Sequence, residues 1–201
     1  LDRAMRRDLF EPLGMTSSAM IVGDDLRPRL IERPPGIPLG PDDAGSPLSS
    51  NDPLWEGSDD GASGAFASAP DLARFLQLFL DQGMAGNTRV LSRDSVRVMT
   101  TNQIPGLGVE LGDVTKAEAS WGFGFAVAGH EAWPRFGGGL SSPNSVRHGG
   151  AGGIDGWADP DSGVVAVYIE VVTEATEEGL PRSWAAHRFQ DVVNASVTSR
   201  V

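Results

Sequence analysis

The sequence predicts an α+β fold in which an antiparallel sheet meander is flanked by helices. Three features predict it: amphipathic helical patterns occupy much of the first hundred residues, short strand patterns follow residue 121, and a last helical pattern closes the chain. Short turns separate the strand patterns, and such turns join antiparallel strands but not parallel ones. The length of 201 residues suits one domain, so we expect residues 1–201 to form a single domain or half of a larger one.

Composition excludes several classes of protein. The 27 acidic and 16 basic residues give a net charge of −11, whereas nucleic acids and anionic membrane surfaces attract basic proteins. The absence of cysteine excludes disulfides and thiolate metal sites. Apolar runs such as Val164–Ile169 are far shorter than the ~20 residues that span a bilayer. We therefore predict no nucleic-acid partner and no membrane span, and the composition leaves the cellular location open.

The first predicted helix covers Leu1–Phe10, where apolar residues recur at four-residue spacing. We expect Pro12 to end this helix and Gly14 to begin a turn. No N-cap residue precedes Leu1, which favours a preceding segment over a frayed terminus.

Two further helices have clear start signals. Ser68 stands before Pro70 and Asp71, which form a capped first turn, and apolar residues then recur at helical spacing until Gly83. Ser92 begins another helix in the same way.

Residues 24–61 lie between the first predicted helix and the helix that begins at Ser68. They contain seven of the fourteen prolines and show no sustained hydrophobic period. A connection of this length without a period is usually functional or disordered. We expect one meandering surface loop over the body of the domain, not a domain boundary.

The region 121–201 is predicted to contain the sheet and the closing helix. Alternating and apolar patterns indicate four short strands, and the turn Pro160–Gly163 joins the last two. The closing helix is expected over Ser183–Ala195. The four predicted strands are Trp121–Val127, Asn144–Gly150, Ile154–Asp159 and Val164–Val172.

Three alternative sites can be excluded from spacing. The three histidines lie far apart, without the spacing of a metal site, so no metal or cofactor is predicted. The glycine run Gly149–Gly153 fails as a dinucleotide fingerprint, because Asp155 stands where a glycine is needed. Gly61–Ala65 is one residue away from a nucleophile elbow, but no strand pattern precedes it.

The remaining candidate site is His148, Gly149 and Gly150 on a predicted strand. Glycines on an edge strand let a ligand approach the backbone closely. A neighbouring histidine could donate a hydrogen bond to a carbonyl or carboxylate. Taken alone, the pattern also fits an ordinary surface histidine.

Five segments, taken in order along the chain, resemble the serine β-lactamase and penicillin-binding-protein superfamily, in particular class C β-lactamase-like proteins and related esterases. They match its PLGM turn, its DLARF helix start, its LS…NQ stretch, its WGLGF strand and its third active-site motif. The segments are Pro12–Thr16, Gly61–Phe75, Val90–Gln103, Trp121–Phe125 and His148–Pro160.

This resemblance implies an acyl-transfer serine hydrolase, of which only the third motif carries over, onto His148, Gly149 and Gly150. The family places its nucleophile and a lysine in Ser-x-x-Lys and a proton-transfer group in Tyr-x-Asn or Ser-x-Asn. Neither Ser-x-x-Lys nor Tyr-x-Asn is present, since Lys116 and Tyr168 are the only residues of their types and have the wrong neighbours. The resemblance therefore implies the C-terminal part of a β-lactamase-like fold, inactive without a preceding segment that completes it.

Two functions remain open at this point, together with the weaker alternative of an unrelated α+β domain. The first is part of a hydrolase of a small-molecule ester, β-lactam or D-amino-acid peptide, with His148 contacting the substrate. A histidine in place of the family's lysine favours uncharged esters. The second is a non-catalytic binding module derived from the same fold. The resemblance also implies that loop 24–61 forms part of the cleft rim, although a solvated connector fits the sequence as well. It further implies that Val164–Val172 presents an unpaired apolar edge.

Overall fold

The computed structural model confirms the α+β class: helices pack on both faces of an antiparallel sheet. The described part of the chain comprises residues 1–32, 51, 53–62, 64–111, 114–116, 119–129, 139–150, 153–171 and 184–197. In this part, no helix has the length and apolar character that crossing a membrane requires.

The first helix is longer than the sequence predicts. Helix α1 (Asp2–Met5) continues through a π-helical turn (Arg6–Phe10) into α2 (Glu11–Leu13). Pro12 therefore lies in the last turn instead of ending the helix. The end comes at Gly14, whose left-handed φ of 62° lets the N–H of the next residue reach back to the Phe10 carbonyl.

Two short helical turns lie within the region 24–61, which the sequence predicts to be one meandering surface loop. A 3-10 turn (Arg27–Arg29) and helix α3 (Pro53–Glu56) interrupt it, and both contain a proline in their first turn. An ion pair between Arg27 and Glu56 joins the two turns. Residues 33–50 and 52 lie outside the described residues, so the cleft-rim role stays a prediction.

Helix α4 (Ala69–Leu80) begins where predicted, at Ser68, whose hydroxyl accepts a hydrogen bond from the Asp71 N–H. The Asp71 carboxylate is buried and accepts hydrogen bonds from the Ser17 N–H (2.7 Å) and the Ser18 hydroxyl (2.9 Å). One aspartate in the first turn thus ties α4 to the segment that follows the first helix.

Helix α5 (Arg93–Thr100) is capped by Ser92, as predicted, and buries Val96. Two small hairpins that the sequence analysis did not predict lie before and after it. Their strands are β1 (Met84–Ala85) with β2 (Thr88–Arg89), and β3 (Val109–Leu111) with β4 (Val114–Lys116).

The main sheet is the predicted antiparallel meander, with strand order β5-β6-β7-β8. Its strands are β5 (Ala126–Val127), β6 (Val146–Gly150), β7 (Ile154–Asp159) and β8 (Val164–Ile169). The register places Gly156 opposite both His148 and Val167.

The prediction of a continuous strand over Trp121–Val127 is wrong. Only the last two residues belong to β5, and Trp121 folds back to form an isolated bridge with Ala126. Gly124 makes the reversal possible through its positive φ of 85°. The aromatic alternation therefore belongs to a tight turn and not to an extended strand.

Each face of the sheet is covered by one helix. Leu76 and Phe79 of α4 pack with Phe125, Val146 and Ala158 in the main core. On the opposite face lies the closing helix α6 (Trp184–Ser196), which confirms the predicted covering helix. Its Phe189 contacts the rings of Trp157 and Tyr168.

Strand β8 lies at the end of the described sheet, because β7 is its one described neighbour. This confirms the predicted unpaired edge for the described residues Val164–Ile169; residue 172 lies outside them. An apolar strand edge of this kind is a ready surface for another strand.

Replacing Asp71 with alanine is expected to lower the free energy of unfolding by about 2–3 kcal/mol, because the Ser17 N–H and the Ser18 hydroxyl lose their acceptor while buried. The measurement is urea unfolding followed by circular dichroism. Asp94→Ala is the matched control: Asp94 forms an exposed ion pair with Arg97, worth less than about 1 kcal/mol. Equal losses in the two variants would contradict the anchoring role of Asp71.

Candidate active site

The predicted site residues lie together at the exposed end of β6. His148, Gly149 and Gly150 are all exposed, while the two residues before them are buried. Strand β5 pairs only with Val146 and Arg147. No described strand therefore lies beside His148–Gly150 on that side, and this stretch is an open edge.

The backbone of Gly149 points toward this open edge. The Ala128 N–H donates to the Ser145 carbonyl, so the polar groups of Ser145 face the β5 side of the strand. Backbone groups alternate sides along an antiparallel strand, so those of Gly149 face the same way. An N–H group in this position could donate to a carbonyl or oxyanion of a ligand.

Neither glycine of the site is required by the packing beneath it. A Cβ on Gly149 would contact only atoms at 3.5 Å or more, and one on Gly150 would lie 3.8 Å from the Ile154 Cβ. These are ordinary van der Waals contacts. On Gly150, which shares the face of His148, the absence of a side chain therefore leaves the surface of the strand clear.

The indole of Trp121 is the aromatic neighbour of His148. Their ring centroids are 6.2 Å apart, with the planes at 76°, an edge-to-face arrangement. Trp121 is half-buried, so part of its surface remains accessible. The sequence analysis did not assign this residue to the site, because the contact depends on the fold-back at Gly124.

Asn102 holds the backbone around Trp121. Its Oδ1 accepts hydrogen bonds from the N–H groups of Trp121 (3.2 Å) and Ile104 (3.0 Å), and its Nδ2 donates to the Ala119 carbonyl (3.4 Å). The Gln103 N–H donates to the Trp121 carbonyl at 2.7 Å. The NQ pair of the sequence resemblance thus fixes both polar backbone groups of Trp121.

Gly122 permits the close passage of this segment past the end of α5. A Cβ at this position would lie 1.9 Å from the Met99 carbonyl oxygen. No real side chain fits there, so a glycine is required at this point.

A buried charged cluster lies on the opposite face of the sheet, directly behind the site. The Arg147 guanidinium forms an ion pair with Asp155, and their side chains are only 10% and 8% exposed. The Arg147 Nη1 lies 2.9 Å from the His187 Nε2 of α6. Because a guanidinium can only donate, this imidazole nitrogen must be the acceptor.

Burial dominates the electrostatics of this pair. It raises the pKa of Asp155 to about 6 and lowers the pKa of Arg147, although the opposite charges favour ionisation of both groups. The cluster could not be found from the sequence, because the diagonal pairing of Arg147 with Asp155 depends on the register of the β6–β7 hairpin.

Other chemically interesting residues lie away from the site. The Tyr168 hydroxyl donates to Glu170 at 2.7 Å, and this hydrogen bond raises the pKa of Tyr168. Tyr168 shares the α6 face with Asp155, opposite His148. His130 lies outside the described residues. Within the described ranges, no three His, Asp or Glu side chains converge as a metal site would require.

Comparison with known proteins agrees with the resemblance found in the five segments. The family model described as Beta-lactamase matches residues 1–188. No curated protein shows significant sequence similarity.

Several solved structures share this fold. A β-lactamase from Mycobacterium bovis superimposes with a TM-score of 0.63 at 22% identity, covering 98% of this chain and 56% of its own. A penicillin-binding protein homologue from Caulobacter crescentus gives 0.64 at 24% identity, with coverages of 85% and 46%. A family VIII carboxylesterase gives 0.62 at 19% identity, with coverages of 93% and 51%. This chain thus spans about half the length of each.

We expect the free energy of unfolding of the protein, minus that of an Asp155→Asn variant, to fall by about 2–3 kcal/mol as the pH rises from 4 to 7. The folded pKa of about 6 lies above the unfolded value of 3.8. The folded state therefore holds the proton more tightly, and this stabilisation is lost as the pH rises through the folded pKa. Urea unfolding across this range measures the difference.

Asp94→Asn is the control for the substitution itself, because Asp94 forms an exposed ion pair with Arg97. If the free energy of unfolding of the protein, minus that of Asp155→Asn, increased with pH, the attraction of Asp155 to Arg147 would outweigh the cost of burying its charge.

Gly122→Ala is expected to cost about 3 kcal/mol or more, because the new Cβ would collide with the Met99 carbonyl. Gly139→Ala is the matched control, since nothing lies within 4 Å of its Cβ position. Thermal unfolding measures both. Similar melting temperatures for the two variants would contradict the close passage at Gly122.

Proposed function

Because this chain belongs to the Beta-lactamase family, we propose that it is the C-terminal, substrate-binding part of a serine hydrolase that cleaves small-molecule esters. In this proposal the chain supplies the open edge of β6 as one wall of the cleft. The observation that supports it most directly is the exposure of His148–Gly150 on an open strand edge, since the sequence resemblance implies that these residues are the third active-site motif.

The proposed role of His148 is to hold the carbonyl side of the substrate by a hydrogen bond. The Gly149 N–H, which faces the same open edge, is proposed as a second donor to the oxygen that becomes negative during acyl transfer. Both donors are in place before a substrate arrives, because β6 is fixed by its pairing with β7.

The proposed nucleophile and proton-transfer groups lie in a polypeptide segment before Leu1. Supporting this, Ser-x-x-Lys and Tyr-x-Asn are absent from these 201 residues, and the similar structures are about twice as long. The segment would add strands beside the open edge of β8. By this proposal, the 201 residues alone do not turn over substrate.

Esters are preferred to β-lactams in this proposal because of the histidine. A lysine at position 148 would be a permanent cation that attracts the carboxylate of a β-lactam, and replacing it with a histidine removes that permanent cation. The alternative, a non-catalytic binding module of the same fold, is favoured by the same absence of Ser-x-x-Lys and Tyr-x-Asn.

The test is hydrolysis of p-nitrophenyl acetate and nitrocefin by this chain, alone and together with any coding sequence that precedes Leu1. We expect activity on the ester only with the preceding sequence, and a roughly 100-fold loss of kcat/KM in His148→Ala. His148→Gln keeps a hydrogen-bond donor and should lose less, and His148→Lys should raise the rate on nitrocefin relative to the ester.

Arg97→Ala, on the exposed side of α5, is the control and should keep full activity. A native start codon at Leu1, or inactivity of the longer protein towards both substrates, would support the binding module instead.

A further inference from the structure

The surroundings of His148 carry information about the substrate beyond the reaction type. The imidazole is exposed and polar, but its neighbours on the same surface are apolar. Trp121 lies against it edge to face. Ile154, paired with Gly150 and 39% exposed, lies on the same face of the sheet.

The charge of the neighbouring residue is directed away from this surface. The adjacent residue Arg147 points to the opposite face, where Asp155 and His187 engage its guanidinium. A ligand at His148 therefore meets a hydrogen-bonding group within an apolar wall. This environment suits a carbonyl compound with an extended apolar substituent better than a compact one.

The backbone that carries the indole is held in place before any ligand binds. The N–H of Trp121 is held by Asn102 and its carbonyl by the Gln103 N–H. The next residue, Gly122, passes close beneath the end of α5. Such rigidity reduces the entropy lost on binding, so a fixed aromatic face is an effective binding surface.

We propose that Trp121 is a specificity-determining residue, whose indole binds the apolar acyl chain of the ester whose carbonyl His148 contacts. This inference rests on the proposed function and names its substrate class: esters of medium-length aliphatic acids.

The first experiment compares kcat/KM for p-nitrophenyl octanoate and p-nitrophenyl acetate in the protein that includes its preceding sequence. Trp121→Ala is expected to lower the octanoate-to-acetate ratio about tenfold, and Trp121→Phe to lower it less. A loss of stability alone would reduce both rates together and leave the ratio unchanged. A ratio within twofold of the parent value in Trp121→Ala would overturn the inference.

Phe189→Ala is the matched control. It removes an aromatic side chain that contacts Trp157 and Tyr168 on the opposite face, so it should lower stability without changing the ratio. A change of ratio in this variant equal to that of Trp121→Ala would show a general packing effect and contradict the inference.

The second experiment needs no turnover and separates this inference from the proposed function. Octanoate and acetate are titrated into the 201-residue chain, with the His148 ring followed by NMR. We expect octanoate to bind about tenfold more tightly than acetate, and this preference to disappear in Trp121→Ala. Equal binding of the two carboxylates would overturn the inference even if esters are hydrolysed. A preference for octanoate without any ester hydrolysis would uphold the apolar subsite and reject the hydrolase.

Discussion

The close approach of α4 to the sheet at Gly156 is the constraint on which the site depends. A Cβ at this position would lie 2.9 Å from the Leu76 Cδ1, so the Leu76 side chain of α4 fills the space where a side chain would stand. Gly156 is also the cross-strand partner of His148. The main contact between helix and sheet therefore fixes the backbone directly beside the candidate site, and Phe79 and Phe125 extend the same contact with an edge-to-face pair.

Side-chain alternation along β6 separates two environments with opposite requirements. Val146 and His148 face the α4 side, where the core ends and the exposed site begins, whereas Arg147 faces α6 and is buried. Burying an ion pair costs desolvation that mutual attraction only partly offsets, and the raised pKa of Asp155 reflects this balance. A single strand thus exposes an imidazole on one face and buries an ion pair on the other.

The sequence predicted the elements whose signals are local. Caps at Ser68 and Ser92, and the turn after Asp159, placed two helices and the last two strands of the meander nearly to the residue. It failed at Trp121–Val127, where the alternating pattern was real but Gly124 reverses the chain. The contact of Trp121 with His148 and the ion pair of Arg147 depend on register and long-range packing, which no local pattern specifies.

The strand order of the meander also has a consequence for how the chain folds. Each strand pairs with its immediate neighbour in sequence, so successive hairpins close short loops and form early. Docking of α4, by contrast, must bring Leu76 to Gly156 across 80 residues of sequence. We therefore expect helix docking to occur late, at the transition state for folding. Mutations at the helix–sheet contact should then slow folding more than mutations in the β7–β8 turn.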